Sequence, residues 1–237
     1  MNGAWYSWGQ QPAEDVATFR RAAQAVRVAP ASQILWSPNQ SGGYPFQAAG
    51  SRRSPAPRRS RCWTLTPTAH GRRPTIRTGR TTRARSTSTG SGCRCTTSAT
   101  RTPWGENAKP EPGKFAAKLT GSYDGRGGDK SALPDFHAQS ARRTGQPLAI
   151  SETSALYNSG RVGQGAGNTT IKTAWLKQVF ADDVPEQFEQ LRLIMWFEQD
   201  KVEPDVPGGV TNWSLSRVAE LREAFREALP DWLRQAP

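Results

Sequence analysis

The chain has 237 residues, a formal net charge of +12 and three cysteines. That length suits one large or two small domains, and no run approaches the ~20 apolar residues of a membrane-spanning helix. The charge would ordinarily point to nucleic acid or another polyanion, but its distribution excludes that reading for most of the chain. Residues 51–102 hold 13 of the 32 basic residues, all arginine, and no lysine, aspartate or glutamate, leaving 19 basic against 20 acidic residues elsewhere. Cys62, Cys93 and Cys95 lie in the same stretch, at spacings that match no zinc pattern and so give no redox compartment for the rest.

In chain order, "MNGAWYSWGQ" opens on three aromatics and lacks the charged and apolar regions of a secretory signal. "PAEDVATFRRAAQAVR" sets Val16, Phe19, Ala23 and Val26 on one helical face. "QILW" (33–36) is a short apolar run followed by a turn, as a buried strand requires. Beyond the arginine-rich stretch and a loop rich in glycine, proline and lysine (103–131), "SALPDFHAQSARRTG" reads as a helix closed by Gly145. "PLAI" (147–150) is a second buried strand. "TTIKTAWLKQVFADD" places Ile171, Ala174, Trp175 and Val179 at helical spacing, and "LRLIMWF" (191–197) is a third strand. "LSRVAELREAFREAL" aligns Leu215, Val218, Leu221 and Phe225 on a terminal helix. Short apolar strands separated by amphipathic helices predict an α/β fold, a parallel sheet or barrel. His70 and His137 are isolated and suggest no metal. "GRGG" (125–128) and "GQGAG" (163–167) lack the setting of a phosphate loop and read as flexible loops, so no cofactor is expected.

The succession "MNGAWYSWGQ", "ILWSPN", "PLAISET" and "LIMWFEQDK" resembles glycoside hydrolase family 26, retaining enzymes on a (β/α)8 barrel whose best known members cleave β-mannans. The resemblance spans most of the chain outside 51–102. It implies a partial barrel, from about the family's strand four or five to strand eight, in one truncated catalytic domain. It implies Glu152 of "ISET" as the nucleophile. Trp5, Tyr6 and Trp8, Asn39 and Trp196 are then expected along the sugar cleft, where aromatic faces stack on pyranose rings. Retaining hydrolysis uses two carboxyl groups ~5 Å apart. The family pattern, roughly H-E-M-N-G-x-W-Y-x-W-G, places the acid/base glutamate immediately before Met1, so the chain as written is expected to be inactive. The implied partner is a β-linked polysaccharide, with neither nucleic acid nor membrane. The intact family member is expected to be extracellular and a folded chain monomeric, although half a barrel leaves edges that favour aggregation.

Residues 51–102 stand where the family has strand six. In the neighbouring reading frame "CWT" (62–64) gives Leu then Asp, and residues 87–96 permit Y-V-D-W-V-G-L-S-L-Y, a credible barrel strand. The stretch is therefore read as out of frame. Its arginines resist burial without partners, so it is expected to be disordered. Two other classes stay open: a polyanion-binding protein that uses this stretch, and a non-catalytic carbohydrate-binding remnant.

Overall fold

The computed structural model describes residues 12–26, 28, 32, 34–37, 90–97, 105–126, 128–129, 135–203, 206 and 208–233. Its centre is a parallel sheet whose strand order follows the chain: β1 (Leu35–Trp36), β2 (Gly90–Thr97), β5 (Leu148–Ala155) and β7 (Leu191–Trp196). The remaining strands form two small antiparallel sheets. A hairpin joins β3 (Asp124–Gly125) to β4 (Gly128–Asp129), and a three-stranded sheet runs in the order β6 (Tyr157–Asn158), β9 (Val210–Asn212), β8 (Asp200–Val202). The fold is thus mixed α/β, with four parallel strands among the described residues.

Among the described residues five α-helices accompany these strands: α1 (Pro12–Val26), α2 (Lys114–Thr120), α3 (Asn168–Val179), α4 (Val184–Gln187) and α5 (Ala219–Ala228). The apolar face expected on α1 buries Val16 and Ala23, and Phe19 meets the Trp36 ring edge-on at 4.7 Å between centroids. Ile171, Trp175 and Val179 of α3 enter the main core as their spacing predicts, together with Phe115 and Leu119 of α2, Leu148 and Ile150 of β5, and Leu221 of α5. Burying such side chains contributes roughly 1.5–3 kcal/mol each.

Three elements differ from their sequence reading. The segment around 136–142 is a π-type turn (Ala138–Arg142) rather than an α-helix, with Arg143 N–H reaching back to Ala138 and Thr144 Oγ1 donating to the Ser140 carbonyl. Gly145 still closes it in the left-handed region, at φ 65°. Leu215 and Val218 precede α5 instead of lying on it: Glu198 takes the backbone N–H groups of Leu215 and Ser216 in a turn, and Val218, with extended backbone, caps the helix. Finally, residues 90–97, inside the stretch expected to be disordered, are an inner strand. A ladder needs only backbone N–H and C=O groups, and β1 and β5 supply partners on both sides.

Lys172 projects from the core face of α3 and is fully buried. Its Nζ donates to Ser214 O at 2.6 Å and to Asn212 Oδ1. Burial pushes its pKa down to about 8, against the pull of Asp200 and Glu198 toward the charged form. An unfolded lysine keeps its proton to the ordinary value of 10.5. Between these two values the unfolded chain binds more protons, so stability rises with pH there, and the cost of the buried charge is complete only below about 8. Urea denaturation at pH 7.5 and pH 10 should show wild type gaining on Lys172→Met at the higher pH; an unchanged gap contradicts this.

Candidate functional site

Ile150 of β5 is fully buried against the helices, and Thr153 Oγ1 accepts the Trp175 indole N–H from α3 at 2.9 Å. Both residues therefore face the helix layer. Successive strand residues alternate sides, so two residues of one strand on the same side should be separated by one residue. Here two intervene, Ser151 and Glu152. The register records the surplus on both edges. On β2, Cys93 and Arg94 pair with Ile150 and Glu152 and skip Ser151; on β7, Ile194 and Trp196, two apart, pair with Ile150 and Thr153, three apart. This is a β-bulge, which re-aims side chains and recurs beside active sites. It turns both Ser151 and Glu152 away from the helices.

Ser37 fixes what that second face is. It follows Trp36, which packs on α1, so Ser37 leaves the sheet on the side away from the helix. Its hydroxyl meets the Ser151 hydroxyl at 2.5 Å. β1 and β5 are two strand spacings apart, roughly 9–10 Å, farther than two serine side chains reach over a flat sheet. The sheet is therefore curved, concave toward Ser37, Ser151 and Glu152, and α1 lies on the same convex side as α3.

Of the site residues expected from the sequence, Trp5, Tyr6, Trp8 and Asn39 lie outside the described residues. Glu152 sits partly buried on the concave face. Trp196 is placed differently: it packs against the main core and donates its indole N–H to Trp213 O at 2.9 Å, an acceptor shared with Ser154 Oγ at 2.6 Å. Its position beside Thr153 in the register gives it to the helix side. The exposed apolar residues of β7 are Leu193 and Met195. The carboxylates after β7 are engaged. Glu198 takes the two backbone N–H groups above and the Ser216 hydroxyl, and Asp200 pairs with Arg217 at 3.1 Å and accepts from Ser214 Oγ.

Sequence reasoning missed the loops that follow β2 and β5, where two asparagines join them. Buried Asn107 donates from Nδ2 to the carbonyls of Asn158 and Arg161, and its Oδ1 accepts the Asn158 N–H at 2.7 Å. Asn158 returns a bond from Nδ2 to Gly105 O at 2.9 Å and accepts the Gly160 N–H. Gly165 bridges to Asn107 at φ 92°, and a Cβ there would lie 2.2 Å from the Asn107 carbonyl oxygen, so this part of "GQGAG" is a fixed packing position rather than a flexible loop. Between these loops lies a cavity of about 700 Å³.

His137 is buried and bonded to Gln190, and among the described residues no group of three or more His, Cys, Asp or Glu is placed to hold a metal ion. No described helix is long and apolar enough to cross a membrane. Comparison with protein-family models, curated proteins and solved structures returns no match for this chain.

The Trp175–Thr153 bond is one of the two anchors of the bulge. Thr153→Val keeps the side-chain shape but leaves a buried indole N–H without an acceptor, which should cost about 1–3 kcal/mol. Equilibrium unfolding in urea measures it, and a loss under about 0.5 kcal/mol would show that the bond does not hold the strand.

Proposed function

We propose that the chain is the second half of a retaining glycosidase barrel resembling glycoside hydrolase family 26, with Glu152 as the nucleophile toward a β-linked polysaccharide, a β-mannan first. The observation that carries the reading is the bulged Glu152 on the face turned away from the described helices, in a parallel sheet whose strands neighbour one another in chain order. Doubly wound sheets reverse their strand order and place helices on both faces. Barrels wind one way, keep helices outside and carry their chemistry at the C-terminal ends of the strands. In this reading β1, β2, β5 and β7 correspond to the family's strands five to eight.

The chemistry is a double displacement. A Glu152 carboxylate oxygen bonds to the anomeric carbon while the glycosidic bond breaks and its electron pair leaves on the aglycone oxygen. Water then attacks the glycosyl ester and restores the carboxylate. A natural sugar leaving group needs a proton from a general acid. Dinitrophenolate needs none. Ser151, held by Ser37, lies beside the carboxylate on the same face, and Trp196 acts as a packing residue below the cleft.

The test uses 2,4-dinitrophenyl 2-deoxy-2-fluoro-β-mannoside. Its leaving group supports the first step without an acid, and its fluorine slows the second, so the adduct accumulates. About one equivalent of dinitrophenolate per chain should be released, with the matching mass on the peptide containing Glu152 and none in Glu152→Gln. An unlabelled wild-type chain, or a label that persists in E152Q, contradicts the assignment.

A further inference from the structure

The cavity between the 105–112 and 161–166 loops has a charge pattern that the nucleophile does not explain. It opens on the rim reached by the C-terminal ends of β2 and β5, and its lining includes Lys109, Arg126 and Arg161 with Glu106 and Glu111. Glu111 is already occupied. Its carboxylate accepts the Lys114 ammonium at 3.0 Å, the Tyr123 hydroxyl at 3.0 Å and the Arg126 backbone N–H at 2.8 Å. Burial raises its pKa, but hydrogen bonds from its own backbone N–H, from the Lys114 ammonium and from the Arg126 N–H, together with the Lys114 charge, outweigh it and hold the group down at about 2. Lys109, Arg126 and Arg161 make no ion pair among the described residues. Arg161 donates from Nε to Gln164 Oε1 at 3.0 Å, which orients the guanidinium and leaves its terminal nitrogens for another acceptor. Three cationic residues thus line a space in which one carboxylate is spent and the other, Glu106, has no ion pair among the described residues.

We infer that this cavity binds a carboxylate-bearing saccharide, a uronosyl unit of an acidic glycan, through Arg126 and Arg161. A planar guanidinium matches a carboxylate in a two-bond fork that a lysine does not reproduce. The volume lies in the range of small-ligand sites. The Asn107–Asn158 bonds preform it, so little ordering entropy opposes binding. The saccharide part of the inference rests on the glycosidase reading; the carboxylate part rests on the cavity.

The probe is digalacturonate, titrated into the full chain by calorimetry, with its methyl ester as the uncharged match. Binding should weaken at least tenfold on esterification and in Arg126→Gln/Arg161→Gln, whose backbone contacts with Glu111 and Asn107 are untouched. R161K, keeping charge and losing the fork, should weaken it several-fold. Arg58→Gln/Arg59→Gln should leave it unchanged. Equal binding of the ester, survival in the double groove variant, or loss in the Arg58/Arg59 variant overturns the site; equally tight binding of a diglutamate peptide overturns its saccharide class. The fluoroglycoside label separates the two readings. Groove-dependent binding in a chain that does not label keeps the carboxylate site and removes the enzyme, whereas labelling without groove-dependent binding does the reverse.

Discussion

One surplus residue in β5 governs the arrangement of the site. Ile150 is held by core packing and Thr153 by its bond to Trp175, so the strand is fixed to the helix layer at both ends of a three-residue step. An alternating strand has no place on that side for the two residues between, and both are expelled to the concave face. In a regular, unbulged strand that kept Ser151, alternation would put Ile150 and Glu152 on the same side, and the carboxylate would face Trp175 and the core. A charged group there would carry a cost of several kcal/mol unless paired. The bulge therefore sets where Glu152 is and also keeps the core apolar.

The loops after the neighbouring strands β2 and β5 adjoin at the rim, and a buried pair of asparagines locks them there through bonds from each side chain to the other loop's backbone. Around that lock the cations of the groove lie within one cavity although they come from residues 109, 126 and 161. Lys172 and its acceptors on the 212–214 segment tie the small antiparallel sheet to α3 in the same manner. Polar bonds, rather than added apolar surface, position the upper part of the molecule.

The apolar framework was legible in the sequence because core packing leaves a periodic trace. Val16 and Ala23, Ile171 and Trp175, and the "PLAI" run are buried as their spacing implies. What the sequence hid leaves no such trace. A bulge adds one residue to a strand without altering its composition, so Ser151 looked like any residue of "ISET". Asn107 and Asn158 stand 51 positions apart, and nothing local announces their bond. Lys172 is buried with Trp175 and Leu176, and a lysine carries no apolar signal of that burial. Trp196 was read as a sugar platform from the resemblance, and its indole N–H and core contacts place it on the helix side instead. β2 carries no apolar pattern at all, and only its neighbours identify it as a strand.

The measurement that tests the bulge most directly is carboxyl footprinting with a water-soluble carbodiimide and an amine, comparing the full chain with a variant lacking Ser151. Because Glu152 lies partly exposed on the concave face, its peptide should be modified in the native protein. Removing Ser151 leaves Glu152 as the one residue between Ile150 and Thr153, so regular alternation keeps the carboxylate on the concave face and its modification should persist, without a marked loss of stability toward urea. Strong protection of Glu152 in the folded variant, or a marked loss of stability, would show that Ser151 is not the surplus residue of the strand and would remove the physical basis of the site.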